Sequence, residues 1–216
     1  ITEHYDLNKF YEQMPVVNSG SSGYTTNDLL EIIQEDVYVF NPTKVVLLVG
    51  INDMNKTDDD VSIVENIRTI TSSINEKRPK AKIYVESIYP VDRERYSVLI
   101  DNNVDNERIK KVNQEIELFC TENNYNYINM FEELYDAESD KLIYEYSRDG
   151  LHLNDEGYKP YKLIYRKRSS TIEEISTHGE LICTENSVTN YSSGLVLNEE
   201  YMTTMYRFDS GVYNEE

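Results

Sequence analysis

The chain has 216 residues, with 21 Lys and Arg against 40 Asp and Glu and a formal net charge of -19. A field of that sign repels phosphate backbones and anionic lipid surfaces, which argues against a nucleic-acid partner. The length suits one domain with a short appendage, and no apolar run approaches the length of a membrane span.

Taken in order, residues 1 to 14 hold no methionine start and no strand leading in, and read as a loop and a short helix. Val16-Val17 breaks into the small residues 18 to 23, as a strand ending in a tight loop does. Thr25 offers an N-cap with Asp28 three residues on, and Leu29, Ile32, Ile33, Val37 and Phe40 follow at helical spacing, so a helix is expected over about 26 to 40. After Pro42, Lys44 to Val49 is a continuous β-branched and aliphatic run, the pattern of a strand covered on both faces. Gly50 to Asn55 reads as the loop that leaves it. Asp58, Asp59 and Asp60 precede a helix with a stripe at Ile63, Ile67, Ile70 and Ile74; without calcium-loop spacing they are expected to cap it and not to hold a metal. Residues 81 to 85 form another strand, and Tyr89-Pro90 opens a polar loop of the length that lids and binding loops have. Ile109, Val112, Ile116, Phe119 and Cys120 mark a further helix, and Tyr127-Ile128 a short strand. Gly157 and Pro160 open a last helix through Leu163 and Ile164. From Arg166 the chain changes character: residues 166 to 170 read as a linker, and 181 to 183 could pair as a strand with 195 to 197. One domain over 1 to 165 and a tail over 166 to 216 are expected.

Strands alternating with helices at roughly 30-residue intervals point to an α/β domain with a parallel sheet. Cys120 and Cys183 fit neither a disulfide framework nor a metal motif, so two free thiols in a reducing, cytoplasmic setting are expected. No cofactor motif is present, and His4 and His178 read as surface histidines.

Three stretches carry chemistry. Asp149-Gly150-Leu151-His152 sets a carboxylate three residues before an imidazole. By spacing alone this is ordinary turn chemistry, but in a serine-type hydrolase such a pair holds one ring nitrogen while the other exchanges a proton with a nucleophile. Asn18 to Thr26 and Val49 to Asp53 are the other two. All three follow expected strands, and ligands of open parallel sheets bind beyond the strands' carboxyl ends.

With these residues in view the sequence resembles the SGNH/GDSL hydrolase superfamily, over about residues 1 to 165. The resemblance implies a flavodoxin-like three-layer α/β/α fold in 2-1-3-4-5 strand order and a carboxylic-ester hydrolase acting on small acyl esters, with acetylated carbohydrate or lysophospholipid as candidate substrates. Gly23 matches the glycine whose amide donates to the oxyanion, although Tyr24 stands where the family often has Asp. Gly50-Ile51-Asn52-Asp53 matches Gly-x-Asn-Asp, giving Asn52 as a side-chain donor with Asp53 bracing the loop. Asp149 and His152 match Asp-x-x-His. Ile1-Thr2-Glu3 matches the residues that follow the family's Gly-Asp-Ser, so the nucleophile is expected immediately before Ile1, together with the first strand, and residues 1 to 216 alone are expected to be inactive. Ser19, Ser21 and Ser22 lie in the loop whose backbone should donate to the oxyanion and are poor nucleophile candidates. Three alternatives remain at this point: an acyltransferase on the same site, a non-catalytic flavodoxin-like binding or signalling module, such as a receiver domain with Asp53 as phospho-acceptor, and a degenerate family member that binds an ester-bearing ligand without turnover. Oligomeric state is not legible.

Overall fold

The structure is a computed structural model and describes residues 6, 16–96, 103–159, 172–175 and 181–183. Its centre is a parallel three-stranded sheet of β1 (Lys44–Leu47), β2 (Lys82–Glu86) and β3 (Asn126–Ile128), in the order β1-β2-β3. Val45 pairs with Ile83 and Val85 with Tyr127, so the three strands end together. Alternate residues point to opposite faces of a strand. Val45, Leu47, Ile83 and Val85 accordingly join one core, while Val46, Leu48, Tyr84 and Ile128 join a second. Burial on both faces is why these strands read as unbroken apolar runs.

Three helices pack into the first core: α1 (Thr26–Asp36), α3 (Asp60–Lys77) and α4 (Asn106–Glu122). The capping box at α1 forms as the sequence indicates, with Thr25 accepting from the Asp28 amide and Asp28 accepting in return. The helix stops at Asp36; a single 3-10 turn, Tyr38–Phe40, completes the expected span and ends at Asn41, whose φ of 48° is a left-handed cap just before Pro42. At α3 only Asp59 is the cap, accepting from the Ser62 amide. Asp60 instead binds Arg108, which also donates to the carbonyls of Met54 and Thr57. The second face is covered by α5 (Met130–Leu134), by the hairpin β4 (Tyr135–Asp136) and β5 (Lys141–Leu142), and by Leu153 and Tyr158. Among the described residues no helix is long and apolar enough to cross a membrane.

Several expectations need correction. Val16 and Val17 are not in a strand; Val16 packs against the second core from irregular chain. Residues 51 to 56 are not a loop but a six-residue helix, α2 (Ile51–Lys56). One and a half turns show no periodicity in sequence, which is why it was not expected. Leu181–Cys183 (β7) does form a strand, but it pairs antiparallel with β6 (Ile172–Ile175); residues 195 to 197, the last helix beyond Lys159, His4 and His178 lie outside the described residues.

Cys120 is fully buried in the first core. Burial, and after it the charge of Glu117, pushes its thiol up to about 12. Thiolate is the reactive form, so iodoacetamide at about pH 8 is expected to leave Cys120 unmodified in the native protein and to label it in denaturant, as read by peptide mass.

Candidate active site

The segment from Ser147 to Leu153 folds back on itself, with these two residues joined by an antiparallel bridge. Buried Ser147 ties the turn from inside: its hydroxyl donates to the His152 carbonyl at 2.9 Å and accepts the Gly150 amide at 2.8 Å. Asp149 then accepts the amides of Leu151 and His152 on Oδ1, at 3.0 and 2.8 Å, and meets His152 Nδ1 with Oδ2 at 2.6 Å. Both oxygens are thereby oriented, and the carboxylate fixes the imidazole through Nδ1, which makes Nε2 the ring nitrogen turned away from it. Burial by itself would raise the Asp149 carboxyl. The His152 ring and the two amides outweigh it and hold the group well below the usual carboxylate range.

A depressed folded-state value means these bonds contribute stability above the ordinary Asp pKa of about 3.9, and that the contribution is lost as pH falls through the lower folded value. The stability advantage of the parent over Asp149→Asn, measured by urea unfolding, is therefore expected to be constant near neutrality and to narrow below about pH 4. A constant difference down to about pH 2 would contradict it.

The chain after β2 clasps this turn. The Asp92 amide donates to the Gly150 carbonyl at 2.8 Å, and Arg95 Nη2 donates to the carbonyls of Ser147 and Arg148 at 3.2 and 2.9 Å. The Tyr96 ring meets the His152 ring edge-on, with centroids 5.9 Å apart. Burial, and then the Asp149 charge, pushes the Tyr96 phenol up to about 12, so it packs as a neutral ring. The expectation of a polar lid fails for this half of the loop, since Ile88, Tyr89, Val91, Asp92 and Tyr96 are all buried.

Two asparagines one face apart on α4 explain how a loop can be buried without a strand partner. Asn113 accepts the Ile88 amide at 2.7 Å and donates to the Ile88 carbonyl at 2.8 Å. Asn106 does the same for Val91, at 2.8 and 2.9 Å. Each amide acts as a short piece of β-partner and satisfies main-chain groups that water cannot reach. Asn113→Leu leaves a buried donor and acceptor unpaired, and is expected to cost about 2–4 kcal/mol in urea unfolding. The sequence signal was weak: both read as polar positions on an amphipathic helix.

The second cluster stands where β1 ends. Gly50, with φ of 127°, swings the chain off the strand into α2 and lies so close to Ile88 that a Cβ would come within 2.7 Å of its Cδ1. Asn52 and Asp53 are buried on α2. Asn52 Nδ2 donates to the Tyr24 carbonyl at 2.8 Å, and Lys56 Nζ reaches the Gly23 carbonyl at 3.4 Å. An amide nitrogen carries two hydrogens, so the Tyr24 bond leaves Asn52 a second to donate. Gly23 has φ of 80°, and none of the described residues comes within 4 Å of where its Cβ would stand. Asp53 is 5% exposed with both oxygens on Thr26. That is a brace and not the reachable strand-end acid a receiver module needs.

Gly23, Asn52 and Asp53 thus form one group, and Asp149 with His152 another. Because β1 and β2 are parallel, the loops leaving them emerge at one end of the sheet. Contacts run from Gly50 to Ile88, and from Asp92 and Tyr96 to Gly150 and His152, linking the groups across that end. Ile1 lies outside the described residues.

The model of the GDSL-like Lipase/Acylhydrolase family matches residues 5–159. The chain belongs to this family. No curated protein matches it. Among solved structures, a Streptococcus pneumonia protein named as a candidate platelet activating factor is 30% identical with a TM-score of 0.72, over 77% of this chain and 78% of that one. A GDSL-like lipase from Bacteroides thetaiotaomicron is 24% identical (TM-score 0.59, 68% and 71% covered), and an acetyl xylan esterase 22% identical (TM-score 0.56, 68% and 77% covered). The last two share the fold. The GDSL-like acylhydrolase match includes all five residues placed above, Gly23, Asn52, Asp53, Asp149 and His152.

Proposed function

We propose that the protein is a carboxylic-ester hydrolase for small acyl esters, acetyl groups on carbohydrate or lysophospholipid-like molecules among them. The observation that carries this is the Asp149–His152 pair, in which two main-chain amides and one imidazole nitrogen orient a single carboxylate. His152 Nε2 takes the proton of a serine as it attacks the ester carbonyl, and returns it to the departing alcohol. Asp149 holds the tautomer and stabilises the imidazolium. The Gly23 amide and the second hydrogen of Asn52 Nδ2 receive the charge that builds on the carbonyl oxygen, a contribution of several kcal/mol in acyl transfer. The nucleophile this reading calls for is the serine of the family's Gly-Asp-Ser block, whose continuation Ile1-Thr2-Glu3 resembles.

The test compares residues 1–216 with the protein carrying its native upstream residues. The longer protein is expected to label with a fluorophosphonate at one serine and to hydrolyse p-nitrophenyl acetate, and residues 1–216 to do neither. Turnover by residues 1–216, or labelling of Ser19, Ser21 or Ser22, would overturn the placement of the nucleophile. Failure of the longer protein to label or turn over would overturn the reading as an ester hydrolase.

A further inference from the structure

The two donors assigned to the oxyanion lie on different elements, Gly23 before α1 and Asn52 on α2, and what fixes their separation is a run of side-chain bonds remote in sequence. Thr26, fully buried, donates its amide to both oxygens of Asp53 at 3.0 Å and its hydroxyl to Oδ1 at 2.5 Å. Asn66, on α3, donates to the Thr26 hydroxyl at 2.8 Å and to Asn27 Oδ1 at 3.1 Å. Every donor in the run points the same way, from Asn66 to Thr26 to Asp53, so each bond polarises the next. We propose that Thr26 and Asn66, acting through Asp53, are positioning residues for oxyanion stabilisation. The inference rests on the ester-hydrolase reading.

Two physical effects follow from this arrangement. The first is geometric. Asn52 follows the clamp because Asp53 is its neighbour, and Gly23 follows because Tyr24 and Thr25 alone separate it from Thr26. The bond from Asn52 to the Tyr24 carbonyl closes the ring, so the two donors move as one piece. Displacement of a reacting or stabilising group by about 1 Å can cost a hundredfold in rate. The second is electrostatic. A bare carboxylate next to Asn52 would oppose the negative charge forming on the carbonyl oxygen. Asp53 instead faces the first turn of α1, an eleven-residue helix, where the free amides and the dipole favour an anion. Burial pushes the Asp53 carboxyl up, and the Thr26 hydroxyl and amide pull against that.

The experiment uses the protein with its upstream residues and p-nitrophenyl acetate, with His152→Ala as the reference. Thr26→Val is expected to lower kcat about tenfold or more with KM within about twofold, the signature of an interaction realised only in the transition state. Thr26→Ser restores kcat to within about threefold. Asn66→Ala, at a half-buried position, lowers kcat about threefold or more, and decides the matter if Thr26→Val fails to fold. A fall in melting temperature with kcat intact in both Thr26→Val and Asn66→Ala is the result of a merely structural brace and overturns the proposal. If His152→Ala turns over as fast as the parent, the hydrolase reading has failed and the clamp falls with it; if His152 matters and Thr26 and Asn66 do not, the clamp alone has failed.

Discussion

In a version of the protein extended upstream through the family's first block to Gly-Asp-Ser, Asp149→Asn is expected to hydrolyse p-nitrophenyl acetate about 10⁴ times more slowly than its parent, the size such a substitution reaches in serine hydrolases. The geometry gives the reason. The Asn carbonyl oxygen can still accept the amides of Leu151 and His152, so the turn persists. Its NH2 group then faces His152 Nδ1, where Oδ2 now sits at 2.6 Å. A donor there makes Nδ1 the acceptor and places the ring proton on Nε2, the nitrogen that must be empty to deprotonate a serine. His152→Ala removes the base altogether and is expected to fall at least as far, and the double variant no further, because the pair acts as a unit. Steady-state kinetics on the two single variants and the double variant check this. Activity of Asp149→Asn within tenfold of the parent would show that the carboxylate does not set the tautomer.

The second large effect is expected at Gly150. Its φ is 95°, and a Cβ built there would lie 2.5 Å from the Asp92 carbonyl oxygen, 3.0 Å from Arg95 Cβ and 3.3 Å from the Tyr96 amide nitrogen. Two of those three atoms are main chain, so no rotamer change relieves the contact. Gly150→Ala must therefore accept a disfavoured dihedral and push the 91–96 segment away from the turn. About 3 kcal/mol is expected, or roughly 6–12 °C in Tm for a chain of this size, measured by thermal unfolding. Because the same movement frees Tyr96 from the His152 ring, turnover should fall in the folded variant as well. The contrast is Gly23→Ala: its φ of 80° is strained too, but none of the described residues comes within 4 Å of its Cβ, so its stability cost should be smaller. Equal Tm losses at the two positions would refute the packing argument.

What was legible in the sequence was whatever neighbouring residues decide among themselves. The Asp149–His152 bond spans three residues and the Thr25–Asp28 box another three, so both are local patterns, the first set apart from ordinary turn chemistry by the company of the Asn18–Thr26 and Val49–Asp53 stretches. The sheet was legible because β1 and β2 are buried on both faces and therefore carry no alternation. What escaped depends on partners that spacing does not reveal. Thr26 and Asp53 are 27 residues apart, and Asn113 and Ile88 are 25 apart. Buried Asn106 and Asn113 look like any polar residues on a helix, because their partners are main-chain groups, which have no letter of their own. The loop that Tyr89-Pro90 opens was misjudged for the same reason: it read as polar, yet Asp92 is buried and Arg95 spends its guanidinium on carbonyls of the turn from Ser147 to Leu153.

Anchorage through Asn106 and Asn113 separates how this segment is fastened from what it displays. The helix grips only amide and carbonyl at Ile88 and Val91, so any residue but proline satisfies the grip at those two points. Glu94, inside the clasped part, adds a fastening from the exposed side, where its carboxylate accepts from Lys141 Nζ at 2.6 Å. The identities of Ile88 and Val91 are therefore set by the core they fill and not by the helix that holds their backbone.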